Sequence, residues 1–410
     1  MPTLHLLGWA TGALFFLYAY VLRVAPSVMI DEMMRDLAVG GAVIGNLSAV
    51  YFYGYAGAQI PVGMLIDRFG PRRLMTLAAL MCGVGCVIFA LSSGISGAAF
   101  GRFVIGTSAA FSLVGAMAVA GLWFPAQRFA LLSGLAMMMG MLGGVIGQAP
   151  LRLVVEALDW RGAVLALAAG GVIIGIAAWT TVRDRPWETR ASVPMLAGLG
   201  RVIRNRQTWL IAIAGLGTTG PLLGFAGLWG VPYFVTTLGI DRTAAASITS
   251  MMFFGWAVGA PLIGWTSDHI SRRRIPLMLG LVVCTATMSA ILFIPGLSIP
   301  MLMALCFLCG FGGASQISGF AAAREINPPA VSATAIGLVN GLVTGAGAFY
   351  QPLLGWLLDL TWKGDMIAGA RVYDAAAYRV ALAAVVIGCV VGFICSLAMR
   401  ETYCRQVEPS

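Results

Sequence analysis

Gly63-Met64-Leu65-Ile66-Asp67-Arg68-Phe69-Gly70-Pro71-Arg72-Arg73 is a charged knot between two long apolar runs, and its reading decides the fold. It recurs once. At Gly264-Trp265-Thr266-Ser267-Asp268-His269-Ile270-Ser271-Arg272-Arg273-Arg274 the glycine, the aspartate and the closing arginine pair return, each displaced by 201 positions. Apolar segments of about 20 residues, long enough to cross a bilayer as a helix, flank both copies. A short loop repeated between such segments predicts a membrane protein built as two similar halves.

Composition agrees. Of 410 residues 60% are hydrophobic and only 10% charged, too apolar to give a soluble protein of this size its surface. The net charge of +9 is carried by arginines in short clusters between apolar runs, not along one polar face, so it points to membrane topology and away from nucleic acid. Seven of the eight cysteines lie in apolar segments, and neither Cys82/Cys86 nor Cys306/Cys309 has a companion set of ligands, so they read as small hydrophobes. His5 and His269 are the only histidines. No metal, cofactor or enzyme chemistry is expected.

The apolar runs fall at about 6–28, 42–65, 75–94, 97–121, 129–154 and 162–182, then at about 209–232, 244–266, 275–295, 298–322, 332–358 and 377–399. This predicts an all-α integral membrane protein of twelve transmembrane helices in two pseudo-symmetric six-helix bundles, residues 1–182 and 209–410, joined by a polar linker, 183–208. The repeat extends beyond the loops. Gly134-Leu135 and Gln148 correspond to Gly337-Leu338 and Gln351 at a displacement of 203, and Trp160-Arg161-Gly162 to Trp362-Lys363-Gly364 at 202. With the N-terminus inside, sixteen Lys and Arg fall on the inner side and seven on the outer, which places both termini, the linker and both charged loops in the cytoplasm. One lysine against 24 arginines suggests a gene rich in G and C, and hence a bacterial inner membrane.

The repeated loop resembles the signature cytoplasmic loop of the major facilitator superfamily of secondary transporters, through Gly63, Asp67, Arg68, Gly70, Arg72 and Arg73. That resemblance implies alternating access, with the loop holding the inward gate shut. The second copy contributes Gly264, Asp268, Arg273 and Arg274, with His269 and Ser271 in place of the arginine and the glycine. The physical reading is parallel: Gly63 lets a neighbouring backbone approach, and Asp67 can pair with Arg72 or Arg73 or sit at a helix N-terminus.

Two arginines lie inside spans. Arg23 sits about 17 residues into the first, with Tyr20 and Ser27 on its helix face, and Arg102 near the outer end of the fourth. An intramembrane arginine is costly unless it faces water or a counter-charge, so each is a functional candidate, with snorkelling to the surface as the alternative. Tyr18-Ala-Tyr20-Val-Leu-Arg23 resembles the first helix of the organic-anion and organophosphate facilitators, which implies that Arg23 binds an anionic group. Arg102-Phe-Val-Ile-Gly106 is similar to the arginine-bearing fourth-helix motif of the superfamily, which implies a coupling or structural role. The phosphate-type members lead one to expect a second arginine on the seventh helix; none occurs between Trp209 and Phe234, so a carboxylate is preferred to a phosphate ester.

Polar stripes at helical spacing, Ser48, Tyr51, Tyr55 and Gln59 in the second span and Asn340, Thr344, Gly347 and Gln351 in the eleventh, should face protein or a wet cavity. Tyr51, Tyr55, Gln59, Asn340 and Gln351, with Gln148 and Tyr20, are therefore assigned to a substrate cavity with Arg23 and Arg102. The glycine-rich stretch Gly140 to Pro150 departs from the drug-antiporter motif, its proline following the glycines. The expected function is transport of a small organic anion by a monomer in the bilayer, with proton symport as a hypothesis. Drug or metabolite efflux and peptide or siderophore import are the alternatives.

Overall fold

The computed structural model describes residues 2–124, 126–184, 195–328, 331–367 and 370–406; the side chains of Asp67 and Arg128 lie outside the described residues. The helices are α1 Pro2–Val24, α2 Ile30–Asp36, α3 Gly41–Phe69, α4 Pro71–Leu91, α5 Ile95–Ala109, α6 Phe111–Trp123, α7 Ala126–Ile146, α8 Ala149–Thr181, α9 Met195–Arg204, α10 Arg206–Gly220, α11 Gly230–Leu238, α12 Arg242–His269, α13 Arg274–Phe293, α14 Ile299–Gly313, α15 Gln316–Ile326, α16 Ser332–Leu360 and α17 Ala375–Leu397. A 3-10 turn, Ala25–Val28, follows α1, and a π-helical segment, Pro221–Trp229, joins α10 to α11.

Among the described residues nine spans are long and apolar enough to cross a membrane, or ten if the bent pair α2 and α3 counts as one. The helices α7 and α16, of 21 and 29 residues, stand at two further predicted positions. The outward faces are apolar as well: Ile173, Leu279 and Ile387, in the middles of α8, α13 and α17, are more than 60% exposed. Such a surface is stable only against lipid. The chain is a nearly all-helical, multi-pass membrane protein.

Three local features differ from expectation. The fifth span breaks at Gln148, whose φ of −101° and ψ of −111° are not helical, and α8 is interrupted at Asp159, whose carboxylate caps the amides of Arg161 and Gly162 at 2.6 and 2.9 Å. The linker holds α9, whose Met195, Leu196, Leu199, Val202 and Ile203 follow helical spacing among the arginines; Val202 is buried against Val331 and Ala335. The loop before α17 forms a two-stranded hairpin, Met366–Ile367 with Ala370–Arg371.

Glycine–carbonyl contacts reproduce the repeat in three dimensions. A Cβ on Gly106 of α5 would run into the Tyr51 carbonyl of α3, and one on Gly54 would lie 2.7 Å from the Phe103 carbonyl. In the second half Gly310 of α14 meets the Met252 carbonyl of α12, and Gly255 meets the Phe307 carbonyl. Equivalent positions differ by 201 or 204 residues. Only a residue without Cβ lets these backbones approach so closely.

The two halves meet along α3 with α16 and α7 with α12. At the end away from the chain termini they are tied by charge. Asp359 at the end of α16 accepts the amides of Gly41 (3.1 Å) and Ala42 (2.8 Å) at the start of α3, and is itself held by Tyr373 (2.5 Å) and Arg371 (3.2 Å). The symmetry-related acid, Glu156 of α8, accepts the Thr243 hydroxyl at the start of α12, at 3.0 Å. Beside it Arg242 pairs with Asp31, and Arg152 bridges Glu32 (2.7 Å) and Glu156 (3.1 Å). A carboxylate at a helix N-terminus gains from both hydrogen bonds and the helix dipole.

Asp359→Ala should therefore loosen this end. Losing charge-assisted bonds worth about 2–3 kcal/mol should shift the open-to-closed ratio there by about 30- to 150-fold. Spin labels at Ser93 and Ser298, on exposed loops of the two halves, are expected to move apart in the variant, read in a background lacking Cys395 and Cys404. Unchanged distances would show that Asp359 is not a latch.

Along the same seam the other end is open. A Cβ on Gly45 would strike the Gln351 carbonyl, and one on Gly355 the Gly41 carbonyl. Five helical turns further on, at Gly63 of α3 and Gly337 of α16, it would meet none of the described residues within 4 Å.

Candidate functional site

Arg23 occupies the last turn of α1, where Pro26 in the following 3-10 turn ends the regular helix. Its guanidinium carbon lies 4.1 Å from the centre of the Tyr20 ring, 4.8 Å from Tyr55, 5.5 Å from Tyr51 and 5.7 Å from Phe52. Two helices thus supply a four-ring box whose electron-rich faces stabilise a cation out of water. The side chain is 3% exposed, its Nε has no hydrogen-bond partner, and none of the described ion pairs involves it.

Arg23 lines a cavity between the two halves, with Phe16, Tyr20 and Tyr55 on one side and Thr219, Trp256, Gln316, Asn340 and Thr344 on the other. Trp256 Nε1 and Gln316 Nε2 are also buried without partners. Three residues that line this space thus each carry a buried N–H without a partner. Of the described residues around it only Arg23 is charged.

The structure brings Tyr20, Arg23, Tyr55 and Asn340 together at this cavity and puts the other predicted residues elsewhere. Arg102 is buried behind the ring box, where it donates to the carbonyls of Leu22 (2.8 Å) and Ser48 (3.2 Å) and so pins α1 to α3. Tyr51 stands between the two arginines, 5.1 Å from the Arg102 guanidinium carbon, and its hydroxyl donates to the Ala19 carbonyl at 3.1 Å. Gln59 is half-buried on α3, outside the cavity lining. Gln148 and Gln351, the repeat-related pair, both reach the π-helical segment: Gln148 Nε2 donates to the Ala226 carbonyl and Gln351 Nε2 to that of Leu223, each at 2.8 Å. Gln148 also accepts the Thr249 hydroxyl at 3.0 Å, joining the halves.

Trp256, Gln316, Thr219 and Thr344 were absent from the predicted site. A tryptophan in mid-span, away from the interfacial belts, and an amide in the tenth span were the available signals.

The two signature loops differ in what they hold. In the first, Gly70 adopts a φ of +81° between α3 and α4, and Arg72 donates its amide to Asp184 (2.9 Å) and its Nε to the Trp179 carbonyl (2.8 Å), while Arg68 and Arg73 are exposed. The Asp67 side chain, assigned to the gate, lies outside the described residues. In the second, Arg273 binds Asp268 (2.5 Å) and Glu325 (2.8 Å), and Glu401 accepts the amides of Arg273 and Arg274 at 2.7 and 3.2 Å. Burial lowers the Arg273 pKa, but the Glu325 and Asp268 carboxylates outweigh it and hold the group above its ordinary value. Gly264 has only an ordinary contact with Ile317, 3.6 Å from its Cβ position.

The sequence profile of the Major Facilitator Superfamily matches residues 11–229 and 221–403. A protein of Cupriavidus necator named "Probable sulfoacetate transporter" is 25% identical over 317 residues, covering 72% of each chain. A "Quinolone resistance transporter" of Acinetobacter baumannii is 23% identical over 397 residues, covering 87% of each. The fold is shared with a bacterial homolog of the human lysosomal transporter Spinster, solved inward-facing and unoccupied, at a TM-score of 0.81, 15% identity and coverage of 97% of this chain and 98% of that one. The chain belongs to the Major Facilitator Superfamily of membrane transporters.

Proposed function

We propose that this protein carries a small organic anion, a carboxylate in preference to a phosphate ester, across a bacterial inner membrane by alternating access. The observation that carries the reading is Arg23, a buried cation with an unpartnered N–H and no described counter-ion, lining a cavity between the halves. A buried charge left unpaired is costly, and an anionic substrate is the partner that relieves it. The name of the Cupriavidus necator relative supports an organic acid. Residues 1–182 and 209–410 act as the two rocking bundles, with the termini in the cytoplasm as the charge count indicates. The tied far end and the open glycine seam then describe an inward-facing state. Tyr20, Tyr55 and Asn340 contact the substrate, while Arg102, Tyr51, Gln148 and Gln351 hold the walls.

Coupling is proposed to be proton symport. No acid is among the described cavity residues, so the groups that would exchange protons are Asp31 and Glu32, in the ion-pair cluster that must part for the far end to open. Uptake into proteoliposomes should rise with an inward proton gradient and collapse with an uncoupler; indifference to both would leave uniport or exchange. The name of the Acinetobacter baumannii relative favours a second reading, drug efflux. Expression in a sensitive host separates the two. Growth on an anionic nutrient supports uptake, and protection from lipophilic cations without such growth supports efflux.

A further inference from the structure

We infer that the substrate carries one negative charge at one end and an uncharged, hydroxyl- or carbonyl-bearing tail at the other, and that Trp256 and Gln316 read that tail. The inference rests on Arg23 as the anion anchor. Arg23 belongs to the first half; Trp256 on α12 and Gln316 at the start of α15 belong to the second, across the same cavity. Trp256 is 6% exposed and Gln316 fully buried, so neither N–H is served by bulk water. An indole N–H can only donate, so whatever lies against Trp256 has to accept.

Gln316 is seated for the purpose. Its Oε1 lies 3.3 Å from the Thr218 hydroxyl, and Nε2 is left over. Gly215 and Gly319 leave the space the amide occupies: a Cβ would lie 2.7 Å from Gln316 Oε1 at Gly215, and 3.1 Å from Nε2 at Gly319. Two buried donors without partners on residues that line one cavity call for an explanation, and a ligand that accepts from them supplies it. Asn340 and Thr344, on the same wall, can in turn take up hydroxyl protons.

Charge sets the other limit. Arg23 is the one charged residue among the described cavity lining, so a second carboxylate on the substrate would be desolvated opposite neutral groups. A hydroxyl or carbonyl oxygen meets the same donors at far lower desolvation cost. The site therefore selects a hydroxylated monoanion over both a dianion and an alkyl carboxylate.

The test is binding of gluconate, hexanoate and glucarate to the purified protein at matched ionic strength. Wild type should bind gluconate at least about ten-fold tighter than either of the others, the discrimination expected of a site built to hydrogen-bond its ligand. Trp256→Phe and Gln316→Leu should each weaken gluconate by about ten-fold and leave hexanoate unchanged. A wild type that prefers glucarate or hexanoate, or ignores gluconate, overturns the inference without reference to any variant's folding. So do variants that weaken gluconate and hexanoate alike, or that leave gluconate untouched. If Arg23→Ala binds gluconate as well as wild type does, it is the anion reading that fails.

Discussion

Arg23→Ala is expected to reduce uptake of the anionic substrate by at least about 100-fold in proteoliposomes, with the protein still folded. The estimate follows from removing one member of a desolvated charge pair, about 3–5 kcal/mol, at a site where the described residues offer no second cation. Arg23→Lys should recover only part of the loss. Lysine restores the charge but lacks the planar fork that grips a carboxylate with two parallel bonds and lies flat between Tyr20 and Tyr55. Uptake by Arg23→Ala within a few-fold of wild type would make Arg23 a structural residue, as its neighbour Arg102 is by geometry. Arg102 serves as the contrast: its Nε is unpartnered too, but it does not line the cavity and its two guanidinium bonds go to backbone carbonyls. Its loss should lower the melting temperature in addition to activity.

Gly337→Leu should stop transport while leaving the present conformation as stable as before, or more so. Gly337 and Gly355 are five helical turns apart on one stripe of α16, as Gly45 and Gly63 are on α3. At the far end Gly41 lies against Gly355 and Gly45 against Gln351. Extending that antiparallel register along both helices brings Gly337 opposite Gln59, one helical turn from Gly63. In the present state a Cβ at either position meets none of the described residues, so leucine is expected to add mainly its better helix propensity, about 0.5–1 kcal/mol. In the opposite state the backbones would have to meet there, and an inserted side chain costs about 1–3 kcal/mol or more. Uptake is expected to fall more than about ten-fold with an unchanged or raised melting temperature. Wild-type transport in the variant would mean that the seam does not close there, and that the glycine opening the signature loop has another purpose.

The architecture was legible because its evidence is local and repeated. The loop at Gly63 returns at Gly264, and displacements of 201 and 204 relate the glycines that pack α3 on α5 and α12 on α14. Arg23 was legible because a mid-span cation has few inexpensive environments, Tyr20 because helical spacing puts it on the same face, and Tyr55 because it belongs to the polar stripe of the second span. Arg102 satisfies the same criterion, and only coordinates reveal that its partners are the Leu22 and Ser48 carbonyls, since every residue carries a carbonyl and none advertises that it is free. Gln148 and Gln351 are matched by the repeat in sequence, yet their targets depend on the π-helical turn around Pro221, which leaves no periodic signature. Trp256 and Gln316 lie in the eighth and tenth spans, outside the polar stripe that marks the eleventh. The hairpin before α17 has four strand residues, and its part in holding Asp359 follows from the folded position of Arg371 and Tyr373.

The most direct test of the central claim, an anion held at Arg23 between the two halves, is thermal stabilisation of the purified protein by small carboxylates, phosphates, peptides and lipophilic cations, in wild type and Arg23→Ala side by side. Binding at 100 times the dissociation constant stabilises by about 2.7 kcal/mol, enough to raise the melting temperature by a few degrees. The account predicts that a carboxylate produces that rise in wild type and that the folded variant loses it. Stabilisation by cations or neutral peptides alone, or an equal response from the variant, would contradict it.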